Sequence, residues 1–390
     1  MGLSSVVSRT AHLSVREGAI TSLETVNLFL SGDVMTGRGV DQVLPCPCEP
    51  TICETRMTSA KEYVALAERA NGPVPWPVDF LYPWGDAVIE LNNRRPDLRI
   101  INLETSVTRY SEPEPKGINY RMSPDNFLCI RDAAIDCCVL ANNHVLDWGK
   151  CGLIETLATI EAAGVVAAGA GLNVEQAMRP AVMPVSPENR VLVYACASRD
   201  SGVPRSWLAG PGRPGVNLLP DFSAETARRI RAQIETIRQP GDVVVASIHW
   251  GGNWGYEIPP SHRAFAHALI DDAGIDLVHG HSSHHPKAIE VFRNRLILYG
   301  CGDFITDYEG ITGYEMFRDD LVLMYLPALN ARDGALTRLT MVPFQLRRLR
   351  LNHAARTDCE WLRGILDREC SRFGGRVRLD ECGSLGLEWS

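Results

Sequence analysis

The sequence predicts a layered α/β fold, and three observations carry that reading. Short β-branched and apolar runs alternate along the chain with stretches of helical period. Five of those runs end in polar, metal-capable residues, at the carboxyl ends of strands where α/β folds place their ligand sites. The composition is ordinary for a globular chain, 45% hydrophobic and 22% charged over 390 residues.

Strands are expected at residues 26–31, 98–103, 136–141, 190–196, 242–249, 275–279 and 295–299. A late antiparallel pair, 321–326 with 336–346, is joined through the turn-forming segment Asn330-Ala-Arg-Asp-Gly334. Helices fit 58–70, 152–163, 224–238, 263–273 and 357–373. Ser223 stands where it can cap the helix that follows, with Glu225 near its start. Residues 44–50 and 111–115, rich in proline and acids, read as surface loops. The expected organisation is a flexible tail over 1–20, one domain over 21–350, and a C-terminal helix and hairpin over 351–390 packed on it.

A formal net charge of −8 argues against nucleic acid or an anionic membrane surface as a partner. No stretch approaches the roughly 18 uninterrupted apolar residues that a membrane helix needs. The segment 1–20 carries Arg9 and Arg16 without a continuous apolar core, so no secretory signal is expected. Val6 stands where a myristoylation motif has Ser or Thr. A cytoplasmic location is therefore the expectation. Of the twelve cysteines, Cys46, Cys48 and Cys53 cluster in one proline-rich loop. Zinc knots pair two such hooks, and the absence of a second favours reduced thiols over a metal knot. Cys137, Cys138, Cys196 and Cys301 sit in or beside apolar runs and read as small core residues.

Five motifs carry the chemistry. In chain order they are Gly32-Asp33-Val34-Met35, Asn102-Leu103-Glu104-Thr105, Asn142-Asn143-His144-Val-Leu-Asp147, His249-Trp250-Gly251-Gly252 and Gly280-His281-Ser-Ser-His284-His285. Carboxylates are hard oxygen ligands that can bridge two cations, the Asn side-chain oxygen is a neutral ligand, and imidazole suits Zn, Mn or Fe. Two metals about 3.5–4 Å apart can clamp a phosphoryl group and generate hydroxide near neutral pH. A His outside the metal shell can then protonate the leaving oxygen. Asp33, Glu104, Asn143, His249, His281 and His284 supply such a ligand set, with His144 left over as the acid. Taken singly, each motif is more often a turn, a capped loop or a satisfied buried His. Five of them at strand ends, with complementary ligand chemistry, are far less expected by chance.

The order Gly-Asp, Asn-Leu-Glu, Asn-Asn-His…Asp-x-Gly, His-Trp-Gly and Gly-His with a second His resembles the CapA family of bacterial capsule (poly-γ-glutamate) synthesis proteins. That family belongs to the calcineurin-like metallophosphoesterases. The resemblance extends to Ile289-Glu290-Val291 and to Leu296-Ile-Leu-Tyr-Gly-Cys-Gly302-Asp303-Phe304, and spans about residues 26–330. It implies a four-layer α/β/β/α sandwich, two mixed sheets face to face with helices outside, holding one or two divalent ions (Mn, Zn, Fe or Mg). It further implies Asp33 as a ligand of the first metal, Glu104 as the bridge, and Asn143, His249 and His281 on the second metal. His284 returns to the first metal and His144 is the acid, with Asp147 placed to orient it.

Three departures from the wider pattern stand out. Met35 occupies the position where typical metallophosphoesterases have a His, a loss the CapA branch shares. The Gly-His-x-His spacing is stretched by one residue, so either His284 or His285 could turn inward. Asp303 stands where the family more often has Asn, as an added anion or a tighter turn. Toward substrate, Lys116, Tyr120 and Arg121 suit a phosphate or carboxylate, Arg38 a bound anion, and Trp250 with Trp254 and Tyr256 a pocket wall. Arg318 with Asp319 and Asp320 reads as a surface ion pair. The expected function is metal-dependent hydrolysis of a phosphoester, acyl-phosphate or glutamyl-peptide, linked to polyglutamate or capsule synthesis. Polyglutamate synthesis proteins are expected partners. The competing expectation is a non-catalytic accessory that keeps the fold.

Overall fold

The computed structural model describes residues 24–389; the expected N-terminal tail lies outside them. In chain order the principal strands are β1 (Thr25–Val34), β2 (Leu98–Leu103), β3 (Cys137–Val139), β4 (Val166–Ala168), β5 (Ala181–Pro184), β6 (Arg190–Ala197), β7 (Asp242–His249) and β8 (Leu277–His281). They continue as β9 (Ile289–Phe292), β10 (Arg295–Leu298), β11 (Asp303–Ile305), β12 (Leu321–Asn330), β13 (Leu336–Leu346), β14 (Leu351–His353), β15 (Gly375–Leu379) and β16 (Leu385–Trp389). The first sheet runs β15-β16-β13-β12-β1-β2-β3-β4, with β11 on β1 and β14 on β13. The second runs β9-β10-β8-β7-β6-β5.

Period-two burial sorts the side chains into three cores. Val26, Leu28 and Leu30 of β1 face inward and join Val191, Val193, Val243, Val245, Leu277 and Leu298 between the two sheets. Phe29 points the other way, as do Ile101 and Leu103, into a core closed by helices α1 (Arg38–Val43), α2 (Lys61–Asn71), α3 (Gly85–Arg94), α4 (Leu128–Asp132) and α5 (Gly149–Ala162). After α6 (Val174–Met178), helices α7 (Ala224–Glu235) and α8 (Pro260–Asp271) cover the outer face of the second sheet through Ile230, Ile234, Phe265 and Leu269. The result is an α/β/β/α sandwich of two mixed sheets.

Ser223 caps α7 as its position predicts, accepting from the Thr226 amide at 3.2 Å. The last helix, α9 (Arg356–Ser371), places Leu362, Leu366 and Cys370 at the margin of the inter-sheet core. The hairpin after it extends the first sheet, with Thr340 opposite Gly386 and Met341 opposite Leu385.

Two features of the strands aim the site. First, β1 changes register against β2 between Leu30 and Asp33, so that Asp33 sits opposite Asn102 on one side and Asp303 on the other. Gly32 makes this possible: a Cβ there would lie 1.6 Å from the Gly302 carbonyl oxygen. Second, β8 runs two residues beyond the expected end at 279. His281 therefore remains in strand geometry, directly opposite His249 on β7.

Candidate metal centre

The strand ends of both sheets meet at one place, where the expected ligands converge. Asp33, His249 and His281 each offer a ligand atom within 4.8 Å of the others, and Asp33, His284 and Asp303 form a second such group. Asp33 is common to both. Glu104 Oε1 lies 3.9 Å from His249 Nε2 and 3.8 Å from His144 Nε2. The Asn143 side-chain oxygen is 3.0 Å from His249 Nε2. His284 rather than His285 turns toward the carboxylates, its Nδ1 3.0 Å from Asp303 Oδ1. His285 packs instead against Phe317 and Tyr256.

Hydrogen bonding fixes which nitrogens carry protons. The His279 Nε2–H donates to the Ser31 carbonyl at 2.7 Å, tying the second sheet to the first. Its Nδ1 therefore accepts from the Ser247 hydroxyl at 3.0 Å, and Ser247 Oγ accepts from His281 Nε2–H at 3.0 Å. That leaves His281 Nδ1 as a lone pair, 3.9 Å from Asp33 Oδ1; it accepts the His249 Nδ1–H at 2.8 Å and would have to give up that bond to hold a cation. His249 Nε2 is then also bare, facing the acceptors Asn143 Oδ1 and Glu104 Oε1. A second shell of this kind sets imidazole tautomers at metal sites.

The electrostatics agree with this proton count. Burial holds His144, His249 and His281 well below the ordinary imidazole value, in the neutral form, which is the form that ligates metal at His249 and His281. Burial also pushes Asp33 up to about 6, with repulsion from Asp303 adding to it, and drives Glu104 well above the carboxylate range. For His284, burial works downward, but the Asp303 carboxylate overcomes it and raises the imidazole. Asp33 Oδ2, Glu104 Oε2 and Asp303 Oδ2 are buried without a hydrogen-bond partner. Buried carboxylates with bare oxygens, beside imidazole lone pairs, are a donor set that fits a divalent cation. Met35, buried beside them in sequence, brings no hard ligand.

Beside this centre, His144 is clamped. Its Nδ1 lies 2.6 Å from Asp147 Oδ2, its ring stacks on Tyr120 at 3.7 Å, and Nε2 is left toward Glu104. Asp147 also accepts from Lys116 Nζ at 2.7 Å and from the Tyr120 amide at 2.6 Å. Burial pushes its carboxyl up to about 7 against the opposing effect of Lys116.

Asn102 and Asn142 were not singled out by sequence reasoning for a role, although both stand in the motifs. Asn102 donates to Asp33 Oδ1 at 2.7 Å and accepts from Asn142 at 3.0 Å; Asn142 Oδ1 then takes the amides of His144 and Val145 at 3.0 Å. This chain of amides links three strand ends.

The cleft in front holds about 350 Å³ and is lined by Arg38, Glu104, Lys116, Tyr120, Asn143, His144, Trp254, His284, Tyr308 and Tyr314, among others. Two residues expected at the substrate lie elsewhere. Arg121 directs its guanidinium to the carbonyls of Tyr110 and Glu49 and stacks over Trp148, because the short strand it begins carries it past the rim. Trp250 points into the outer core of the second sheet, donating to the Tyr299 carbonyl and stacking on His262. Arg38 does line the cleft, but its fork is spent on Asp307 and Glu54. Cys46, Cys48 and Cys53 belong to no metal-capable group among the described residues.

A family model described as bacterial capsule synthesis protein PGA_cap matches residues 27–308, a span that contains every residue of this centre. The chain is 48% identical over 356 residues to a "Probable polyglutamine synthesis accessory protein" of Mycobacterium tuberculosis, covering 91% of this chain and 93% of that one. It is 26% identical to the capsule biosynthesis protein CapA of Bacillus anthracis, over 60% of this chain and 53% of the relative. To the PGA biosynthesis protein CapA of Bacillus subtilis it is 28% identical, over 57% and 56%. With a family match over most of its length, and a centre built from that matched span, the chain belongs to the bacterial capsule synthesis protein family, PGA_cap.

Proposed function

We propose that the protein is a metal-dependent hydrolase acting in polyglutamate or capsule assembly, on a phosphoester, acyl-phosphate or glutamyl-peptide. The observation that carries this reading is the proton count at His249 and His281. It leaves Nε2 of one facing only acceptors, beside three buried carboxylates with bare oxygens. Asp33, His249, His281, Asn143 and Glu104 would hold one cation, and Asp33, His284 and Asp303 a second. A divalent ion so held polarises a substrate oxygen and acidifies a bound water.

The chain's own residues supply the rest. His144 keeps Nε2 free toward the cleft while Asp147 grips Nδ1, so Nε2 is the atom that must first take up a proton and then pass it to the leaving group. Tyr120 holds that ring in plane, and Lys116 keeps Asp147 in position. A second reading, an accessory that binds metal without turnover, draws on the name of the mycobacterial relative and on Met35.

Metal analysis of protein purified without chelator, followed by phosphatase and γ-glutamyl hydrolase assays with added Mn, separates the two. Bound metal with turnover is expected. Bound metal with no turnover on either substrate class favours the accessory, and a chain that takes up no metal overturns both.

A further inference from the structure

The outer wall of the cleft is built by segments outside the five motifs. Trp254 lies flat on Tyr314, ring centroids 4.0 Å apart and 6° from parallel. Tyr314 is 38% exposed, so its outer face is open. Tyr308 stands edge-on to His284, and Ile118 and Ile311 complete the lining. Asp319 lines the same cleft. Its neighbour Arg318 does not neutralise it: that guanidinium goes to Asp320 and Asp358. Among the described residues no Lys, Arg or His forms an ion pair with Asp319; burial pushes its carboxyl up to about 6, the like-charged Asp303 and Asp320 add to that, and His284, itself bonded to Asp303, opposes it only in part.

The basic residues of the cleft are already committed, Arg38 to Asp307 and Glu54, Lys116 to Asp147. The outer cleft therefore combines aromatic rings with a carboxylate that has no ion-pair partner among the described residues. Ring quadrupoles attract cations, and a carboxylate beside them adds to that attraction while repelling anions. Asp319 also lies beyond residue 308, where the family match ends.

We propose that this outer wall is a subsite for a primary ammonium group, held by Asp319 and the open face of Tyr314, which Trp254 backs. The molecule the cleft takes is then zwitterionic, with an oxygen function toward Asp33 and an ammonium end toward Asp319. A free amino acid conjugate, or the amino end of a peptide, has that chemistry. The inner half of this assignment rests on the metal-centre reading above; the outer half rests on the wall alone.

The test uses three probes that share a phenethyl group, phenethylamine, its N-acetyl derivative and 3-phenylpropanoate, titrated into the full chain by calorimetry and tryptophan fluorescence. The amine is expected to bind about tenfold tighter than the neutral amide, while the carboxylate reports on the inner, metal-facing half. Asp319→Asn should erase the preference, and Tyr314→Ala, at the open rim, should weaken the amine in a chain that still melts cooperatively. Equal binding of the amine and the neutral amide, or a preference unchanged in both variants, overturns the proposal. Selective amine binding by a chain that takes up no metal would support the subsite while removing the hydrolase reading. A working metalloenzyme that treats the probes alike would do the reverse.

Discussion

His249 and His281 stand opposite one another on adjacent parallel strands, with their Nδ1 atoms 2.8 Å apart and Asp33 within 3.9 Å of the second. Neither imidazole can change without disturbing the other. His249→Ala is therefore expected to lower bound divalent metal by more than roughly tenfold, since even outer-sphere partners are worth that much. Elemental analysis after purification without chelator reads this directly, and unchanged metal content would refute the ligand assignment.

His144 touches the centre only through its distance to Glu104 and is held by Asp147 and Tyr120. His144→Ala should lower kcat by roughly 10²–10⁴-fold while leaving metal content nearly intact. Loss of metal in that variant would make His144 a ligand and not the acid.

Gly32 lets the first sheet bring Asp33 beside Asp303. A Cβ there would meet the Gly302 carbonyl at 1.6 Å, against rigid backbone. Gly32→Ala should cost at least about 3 kcal/mol in denaturant unfolding, the upper range of overpacking penalties. A stability change under about 1 kcal/mol would mean that the strands are less tightly apposed than described.

His279 links acidity to stability. Burial lowers its pKa from 6.5 to about 4, against its hydrogen bond to Ser31. The folded value lies below the unfolded one, so the unfolded chain takes up the proton first as pH falls. The contribution is complete above 6.5 and is lost as pH falls toward 4. Between about pH 7.5 and about pH 5 this amounts to about 2 kcal/mol. His279→Gln keeps a donor for Ser31 and does not titrate there. Urea unfolding at both pH values should show a smaller acid loss in the variant than in the parent, and equal losses would sink the assignment.

Much of the architecture was legible because strand ends in this chain carry strong local signals. Residues 98–103, 242–249 and 336–346 match their strands to the residue. The capped start of α7 was equally plain. Short helices such as α1 and α3 were not, since Arg38 and Gly85 give no start signal and packing against the first sheet makes them helical. The strand β8 ran past its expected end because pairing with β7, a non-local contact, continued through Gly280.

By itself the sequence determined which residue types sit at the strand ends and that they could form one ligand set, because alternation and glycine placement are local properties. Only the tertiary structure decided between His284 and His285, brought Asp303 into the centre, turned Arg121 and Trp250 away, and left Asp319 without an ion-pair partner among the described residues. Those outcomes depend on which carboxylate, carbonyl or ring a side chain meets across the two sheets. Such partners lie tens to hundreds of residues away, where no local pattern reaches.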